Sequence, residues 1–329
     1  MAILVTGGAG YIGSHTVAEL LSHGEQVVVV DNLATGHRQS VAPEAKFYLG
    51  DIRDAAFLDN VFAENEIEAV IHFAASSLVG ESVQKPLDYY HNNLFGTHSL
   101  VTAMLKSGVN KIVFSSTAAV YGEPKQVPIM ETDPTKPESP YGETKLAMEQ
   151  MFRWCDQAYG LKYVSLRYFN ACGAHPEGKI GEDHKPESHL IPLILQVPLG
   201  QREHISIFGD DYPTEDGTCI RDYIHVMDLA SAHRLSLEHL RAGQPSDVFN
   251  LGNGTGFSVK QVIELARQVT GHPIPAKTVS RRAGDPAVLI ASSQKAQQTL
   301  GWKQQYRELG TIVESAWKWH KNNPHGYAD

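Results

Sequence analysis

The stretch that most restricts the fold of this chain lies near its N-terminus. Residues 3–6 are apolar and typical of a short buried strand, and three glycines follow in the spacing Gly7-x-x-Gly10-x-x-Gly13, which opens an amphipathic helical pattern. A second apolar strand then ends in Asp31. Glycines at these positions permit a tight turn and the close approach of a pyrophosphate, whose charge suits a helix N-terminus. This order of strand, glycine loop, helix, strand and acid predicts a dinucleotide-binding unit.

Asp31 also indicates which dinucleotide binds. A carboxylate at the end of the second strand accepts hydrogen bonds from an adenosine ribose and repels a 2′-phosphate, which favours NAD over NADP. The next strand pattern leads to Asp51 and Ile52, where a carboxylate could meet the adenine amino group. Small side chains within 73–75, after a fourth strand, would let the cofactor lie against the backbone.

Strand and helix patterns alternate through the first half of the chain. Further strand patterns cover 46–49, 69–72, 111–115 and 163–167, and helical patterns cover 55–65, 86–106 and a segment that begins near Tyr141. This alternation predicts a Rossmann-type α/β fold, a doubly wound parallel sheet whose ligand lies outside the carboxyl ends of the strands.

Past residue 172 the composition changes. Residues 173–225 are rich in Gly, Pro, His and Asp and show fewer regular periods. We interpret them as loops of a smaller C-terminal α+β domain that binds the substrate. The predicted domains are 1–172 for NAD and 173–329 for the substrate, with the segment of about 222–255 returning to the first domain.

Composition excludes several classes of function. The net charge of −9 provides no basic surface for nucleic acid or for an anionic membrane. Three scattered cysteines suit neither a disulfide framework nor a zinc ribbon, which fits a reducing compartment. No apolar run approaches the ~20 residues that span a membrane, and the N-terminus lacks the basic start of a signal peptide. We predict a soluble cytoplasmic protein.

The segment 139–145 carries a possible proton-transfer pair. Ser139 can cap a helix and Pro140 suits its first position, so Tyr141 and Lys145 fall one turn apart on one face. An ammonium beside a phenol favours the phenolate, and a downward shift of about three pKa units, roughly 4 kcal/mol, would bring the tyrosine near neutrality. By spacing alone an ordinary surface helix is the simpler explanation, and the NAD-binding pattern around the pair favours catalysis.

These motifs together resemble the extended short-chain dehydrogenase/reductase family. The resemblance rests on the glycine spacing with Asp31, on Ser115-Ser116-Thr117 at a strand end and on Tyr141-x-x-x-Lys145. Five segments also resemble the subgroup of this family that interconverts UDP-glucose and UDP-galactose, namely 114–122, 166–170, 180–183, 211–218 and 221–226. The resemblance covers nearly the whole chain.

The resemblance implies reversible epimerisation of the two UDP-sugars at C4, with tightly held NAD and a 4-keto intermediate. Tyr141 would take the proton from the sugar 4-hydroxyl, and Thr117 would hydrogen-bond the same oxygen. Lys145 would lower the pKa of Tyr141 and bind the nicotinamide ribose. The implied cofactor-binding residues are Gly7, Gly10, Tyr11, Ile12, Gly13, Asp31, Asn32, Leu33, Thr35, Gly36, Asp51, Ile52, Phe73, Ala74, Ala75, Ser77, Asn93, Ser115, Tyr141, Lys145 and Phe169.

Two arginines would hold the substrate diphosphate, whose geometry suits guanidinium groups. The resemblance assigns this clamp to Arg221 and Arg282, and Asp285 would meet the uridine ribose. Without the resemblance, ion pairing with neighbours such as Asp222 and Asp285 is the simpler explanation of both arginines. The implied substrate-binding residues are Thr117, Tyr141, Asn170, His189, Leu190, Phe208, Arg221, Arg282, Asp285 and Leu289.

The chain departs from the family pattern at three positions. Ser77 stands where many members carry a lysine, so that cofactor contact is lost, although a serine can still hydrogen-bond. His189 stands where an asparagine is common. Leu289 stands where a tyrosine in some bacterial members and a cysteine in mammalian members sets the pocket width. Because leucine is smaller than tyrosine, we predict some turnover of UDP-N-acetylglucosamine and UDP-N-acetylgalactosamine.

Three other functions compete with epimerisation. A sugar-nucleotide 4,6-dehydratase typically carries an Asp-Glu pair after the strand-end threonine, and Ala118-Ala119 here lacks that acid and base. A plain dehydrogenase would release reduced NAD, which an epimerase does not. A non-catalytic NAD-sensing protein or scaffold would not need Thr117, Tyr141 and Lys145 together.

Two further expectations concern metal and oligomeric state. The spacings of His175, His184 and His189 fit no HExxH or His/Cys zinc pattern, so we predict no metal. Apolar stripes on the helices around 88–107 and 143–160 are explained by sheet packing, but the resemblance implies that both helices build a dimer interface, and we expect a homodimer. The stripe residues are Leu94, Leu100, Leu105, Leu146, Met151 and Trp154.

Overall fold

A computed structural model of the chain describes residues 1–282 and 285–328. Its strands are β1 (Ala2–Thr6), β2 (Val27–Asp31), β3 (Lys46–Leu49), β4 (Ile67–His72), β5 (Lys111–Ser115), β6 (Lys162–Tyr168), β7 (Asn170–Cys172), β8 (Ile205–Phe208), β9 (Ile220–Arg221), β10 (Tyr223–His225), β11 (Asp247–Leu251), β12 (Phe257–Ser258), β13 (Ala276–Val279) and β14 (Val288–Leu289). Its α-helices are α1 (Tyr11–Ser22), α2 (Ala55–Glu64), α3 (Val79–Gln84), α4 (Pro86–Tyr89), α5 (Gly96–Lys106), α6 (Pro140–Tyr159), α7 (Leu190–Leu195), α8 (Val226–Arg241), α9 (Val259–Thr270), α10 (Gln294–Leu300) and α11 (Leu309–Asn322).

The central sheet has seven strands in the order β11-β6-β5-β4-β1-β2-β3, and every neighbouring pair is parallel. The strand order reverses between β1 and β4, so the loops that follow these two strands diverge and leave a crevice at the carboxyl edge of the sheet. The predicted Rossmann-type doubly wound fold is confirmed.

Helices cover both faces of this sheet with their apolar sides. The inner strands are runs of buried β-branched residues, as in the VVVV of β2, which is typical of strands covered on both sides. One face packs against α1, α8 and α10, with Trp302 fully buried among them. The other face packs against α2, α5 and α6. Burial of each large aliphatic side chain contributes about 1.5–3 kcal/mol, so these two layers hold the sheet rigid.

The later part of the chain builds a second, smaller layer. Helices α7, α9 and α11 share an apolar cluster with the parallel pair β8 and β13. Two later elements belong to the central sheet and its cover instead: β11 pairs with β6, and α10 packs beside α8. Within the described ranges, the helices are too short or too polar to cross a membrane.

The predicted helix 86–106 is interrupted. The structure contains α4, then one π-helical segment, Tyr90–Phe95, and then α5. The wider π-helical turn buries Asn93 fully, and the Asn93 side chain hydrogen-bonds with the backbone of Ser76. The sequence pattern also missed α3, because a six-residue helix with exposed apolar side chains shows no clear amphipathic period.

Candidate active site

A cleft of about 1340 Å³ runs along the carboxyl edge of the sheet, from the glycine loop to the second layer. Most of the residues predicted to bind cofactor or substrate line it. From the predicted cofactor set these are Gly7, Gly10, Tyr11, Ile12, Gly13, Asp31, Asn32, Thr35, Gly36, Asp51, Ile52, Phe73, Ala74, Ala75, Ser77, Ser115 and Phe169. From the predicted catalytic and substrate sets they are Thr117, Tyr141, Lys145, Asn170, His189, Arg221, Arg282, Asp285 and Leu289.

Four predicted residues lie outside this lining. Leu33 has a positive φ of 58° and packs into the apolar layer beside α1, while its N–H donates to Asp31. Asn93 lies behind the loop that carries Ser76 and supports that loop. Leu190 begins α7 and packs into the apolar cluster of the second layer. Phe208 ends β8, and its ring lies under the guanidinium of Arg282.

The glycine loop fits a dinucleotide pyrophosphate. Gly7 has a φ of +76°, and a Cβ there would lie 2.6 Å from the backbone N of Ala74. A Cβ on Gly13 would lie 2.1 Å from the carbonyl oxygen of Gly7, so this glycine allows the loop to pack on α1. No side chain caps the start of α1 at Gly10. The open N–H groups of its first turn therefore face the cleft as an anion site.

Two carboxylates stand beside the loop at the ends of β2 and β3. Asp31 is buried and accepts hydrogen bonds from the backbone N–H groups of Ala9 (2.9 Å) and Leu33 (2.8 Å). Burial raises the pKa of Asp31, and these two bonds oppose the shift. Hydrogen bonds from the Arg53 guanidinium hold the pKa of Asp51 well below its usual range. Each carboxylate keeps lone pairs for a ligand's hydroxyl or amino group.

The start of α6 carries Tyr141 and Lys145 as the sequence predicts. The Ser139 hydroxyl accepts a hydrogen bond from the N–H of Gly142, and Pro140 occupies the first turn. Lys145 is buried, and its Nζ donates to the carbonyl oxygen of Ser115 at 2.8 Å. This contact ties α6 to the end of β5, beside Thr117.

The electrostatics of the pair differ from the expectation. Burial raises the pKa of Tyr141, and hydrogen bonding by Thr117 opposes this shift. Burial also lowers the pKa of Lys145 to about 7, against the attraction of Glu149. The predicted lowering of the pKa of Tyr141 by Lys145 is therefore wrong for the protein alone, because the Lys145 ammonium faces Ser115. A phenolate at this position needs additional positive charge from a bound ligand.

A buried polar layer behind Lys145 was not predicted. Arg167 donates to the Glu149 carboxylate from Nε at 3.0 Å and from a terminal nitrogen, and Ser116 donates to the same carboxylate. Arg167 also donates to the Tyr121 hydroxyl at 2.8 Å. The sequence indicated only one member of this layer, Glu149, which lies one helical turn after Lys145. Its partners come from other elements, and no local pattern links them to it.

The two predicted phosphate-binding arginines lie at the other end of the cleft. Arg221 makes an ion pair with Asp285, and Arg282 stacks over the Phe208 ring with its Cζ 4.0 Å from the centroid. Asp222, the alternative partner from sequence, is fully buried and accepts backbone hydrogen bonds from Asn253 and Ala291 instead. Both guanidinium groups line the cleft, where a diphosphate could reach them.

Four side chains of the loop before α7 converge on the cleft wall. They are Glu182, His184, Glu187 and His189, whose nearest ligand atoms all lie within 4.8 Å of one another. Burial disfavours the charged imidazole of His189, but the two carboxylates outweigh it and raise its pKa to about 10. The predicted substrate residue His189 thus lies close to two carboxylates, and its Nδ1 is 2.7 Å from a Glu182 oxygen.

Comparison with known proteins places this geometry in a family. Residues 3–252 match the sequence profile of the NAD dependent epimerase/dehydratase family. A UDP-glucose 4-epimerase of Halalkalibacterium halodurans is 67% identical over 328 residues, which cover 100% of this chain and 98% of that protein.

Solved structures agree with this result. A crystal structure of a UDP-glucose 4-epimerase superposes with a TM-score of 0.99 at 58% identity, and the match covers 100% of both chains. The UDP-glucose 4-epimerase of Bifidobacterium longum in complex with NAD⁺ and UDP has a TM-score of 0.94 at 44% identity and covers 99% of this chain and 100% of the other. The UDP-Glc/GlcNAc 4-epimerase of Campylobacter jejuni has a TM-score of 0.86 at 42% identity over 98% of this chain and 99% of the other.

Proposed function

The chain belongs to the NAD dependent epimerase/dehydratase family, and from this premise we propose that it interconverts UDP-glucose and UDP-galactose by inverting C4 of the sugar. The observation that carries the proposal is that Thr117, Tyr141 and Lys145 line the same cleft as the glycine loop and two arginines. The chain is an NAD-dependent isomerase. Bound NAD accepts a hydride from C4 and returns it to the opposite face of the 4-keto sugar.

The side chains around Tyr141 handle the proton. The phenol oxygen of Tyr141 takes the proton of the sugar 4-hydroxyl and returns it in the second half of the reaction. Thr117 hydrogen-bonds the same oxygen, and its effect on the pKa of Tyr141 already favours the phenolate. Lys145 fixes the distance between α6 and β5 through Ser115 and presents its ammonium to the nicotinamide ribose. A positively charged nicotinamide near Tyr141 supplies the charge that the protein alone does not.

The distant end of the substrate is held by its diphosphate. Arg221 and Arg282 bind the phosphates as charge-assisted donors, and Asp285 exchanges its Arg221 partner for the uridine ribose. Asn170 lines the same cleft and donates its side-chain N–H to the carbonyl oxygen of Asp222, the residue after Arg221. This anchoring leaves the sugar free to turn between its two faces.

Specific residues argue against two rival activities. The helical turn Ala118–Val120 follows Thr117 directly, so water elimination lacks the acid and base that a dehydratase needs. A passive NAD-sensing protein would have no use for the buried Lys145 beside Ser115 and Thr117. A dehydrogenase would accumulate reduced NAD, which the assay below detects.

The pocket for the sugar also accepts N-acetylated substrates. Leu289 is half-buried, lines the cleft and packs near Phe169 and Tyr121. A leucine leaves more room here than a tyrosine, so UDP-N-acetylgalactosamine is turned over beside UDP-galactose. L289Y should reduce the ratio of the two rates by about tenfold or more while UDP-galactose turnover persists. Absence of any N-acetylated product with the wild-type protein would refute this part of the proposal.

The protein acts as a homodimer in cytoplasmic galactose metabolism. Of the predicted stripe, Leu100 is fully buried, whereas Trp154 is 61% exposed on α6. Two further apolar side chains, Leu87 and Phe95, are 80% and 45% exposed on the neighbouring α4 and π-helical segment. These three packed elements therefore offer an apolar face that a second copy would cover.

Product analysis of purified protein supplied with UDP-galactose tests the activity. We expect UDP-glucose without net formation of reduced NAD. Y141F should lower kcat by about 10²–10⁴-fold, the usual contribution of a general acid–base group. Y159F is the matched control, because Tyr159 ends the same helix and is 67% exposed. Turnover by Y141F at the wild-type rate would overturn the mechanism, and accumulation of reduced NAD would indicate a dehydrogenase.

A further inference from the structure

We propose that Glu182, His184, Glu187 and His189 form a binding site for one divalent transition-metal ion, with Zn²⁺ as its representative. The site lies on the loop before α7, at the wall of the cleft, and the proposal does not rest on the proposed epimerase activity. The sequence spacing of these residues fits no zinc motif, and only the fold of the loop brings them together.

The distances between the four ligand atoms suit a metal. Glu182 Oε1 lies 2.7 Å from His189 Nδ1 and 3.2 Å from His184 Nδ1. The Glu187 oxygens lie 3.4 Å from His189 Nδ1 and 3.7 Å from His184 Nδ1. Ligand atoms bound at about 2.0–2.1 Å around tetrahedral zinc lie roughly 3.3 Å apart, in the middle of this range.

Three of these atoms are buried and unpartnered. Glu182 Oε1, His184 Nδ1 and His189 Nδ1 are shielded from solvent, yet none of them has a hydrogen bond of acceptable geometry. The three atoms therefore lie close together without satisfying one another's hydrogen-bonding capacity in the metal-free protein. Glu182 is only 3% exposed, so this unpartnered oxygen is costly unless a cation occupies the centre.

The surrounding contacts hold the ligands in place. Glu187 Oε1 accepts hydrogen bonds from the backbone N–H groups of Ser188 (2.7 Å) and His189 (2.8 Å), which leaves its second oxygen for a metal. The carbonyl oxygen of Glu182 accepts a hydrogen bond from Trp319 Nε1, which fixes the backbone at the first ligand. Such outer-shell bonds orient ligands in metal sites.

The chemistry of the donor set indicates the class of ion. Two imidazole nitrogens and two carboxylate oxygens suit zinc and similar divalent transition metals, whereas calcium and magnesium prefer oxygen ligands alone. The two carboxylates balance the charge of a divalent cation. The ion would rigidify the loop that carries the cleft wall.

Metal titration of tag-free, metal-stripped protein tests the proposal. We expect one equivalent of Zn²⁺ to bind, and one equivalent of Co²⁺ to give the visible absorption of a tetrahedral nitrogen–oxygen site without a thiolate band. E182Q and H189N should weaken Zn²⁺ binding by more than the 10–100-fold that loss of an outer-shell partner costs. H175N is the control, because His175 lies on the same loop outside the cluster.

Two results would overturn the proposal. One is failure of the wild-type protein to bind an equivalent of either ion. The other is binding by E182Q and H189N as tightly as by H175N, which would put the ion elsewhere. Retention of NAD by each variant shows that it is folded, and the Co²⁺ spectrum of the wild-type protein decides the question even if a variant misfolds. Epimerase activity is not the readout, so its absence would leave the metal result unaffected.

Discussion

Replacing Glu149 with glutamine tests whether the buried polar layer behind Lys145 holds the site together. Glu149 and Arg167 are 5% and 6% exposed, and the Glu149 carboxylate accepts two hydrogen bonds from Arg167 and one from Ser116. E149Q keeps the shape of the side chain but removes its charge. The guanidinium of Arg167 then remains buried without an anion.

The expected cost is large because the pair is buried. Removing one partner of a buried ion pair destabilises a protein by about 3–5 kcal/mol, since the other charge stays desolvated and unpaired. The matched control is E264Q on the solvent face of α9, where Glu264 and Arg267 are 58% and 37% exposed. An exposed pair contributes about 0–1 kcal/mol. The two variants should therefore differ by roughly 3 kcal/mol in the free energy of unfolding.

Urea unfolding of the NAD-bound protein, followed by circular dichroism and tryptophan fluorescence, measures this difference. A chain of 329 residues can unfold in more than one step, so the midpoints of both signals are compared rather than a single fitted free energy. A midpoint for E149Q that coincides with that of E264Q would refute the reasoning. It would mean that water or a rearranged side chain compensates Arg167.

Three further predictions follow from single features of the fold. In NAD-free protein, the free energy of unfolding of the wild type should rise relative to K145M between about pH 7 and pH 10, because Lys145 has a pKa of about 7 when folded and ~10.4 when unfolded. The unfolded state then binds more protons in that window, which gives a slope of up to ~1.4 kcal/mol per pH unit, and a flat difference in denaturant titrations would contradict the burial argument. G13A should retain at least about tenfold less NAD than the wild type after gel filtration, because its Cβ would lie 2.1 Å from a carbonyl oxygen. The control G310A, whose Cβ would meet no atom within 4 Å, should retain as much NAD as the wild type. Equal retention by both variants would refute the loop geometry. W154E should shift the light-scattering mass from dimer toward monomer, and a wild-type protein that is already monomeric would remove the dimer proposal.

Local patterns determined the parts of this protein that lie within single elements. The glycine loop, the acid after β2 and the placement of Tyr141 and Lys145 one helical turn apart could all be predicted, because helix and strand periods fix relative positions over a few residues. The strands Lys46–Leu49 and Lys111–Ser115 were predicted with their observed bounds. The doubly wound sheet followed from the alternation of elements.

Tertiary packing decided the contacts between elements. Lys145 bonds the Ser115 carbonyl rather than acting on Tyr141, and Arg221 pairs with Asp285, 64 positions away in the chain. The convergence of Glu182 and His189 depends on a loop whose path has no periodic signal. Sequence alone therefore determined the fold and the placement of Tyr141 and Lys145 one turn apart on α6. The charge state of that pair and the cluster on the cleft wall were decided by burial and loop conformation, which arise only when separate elements pack together.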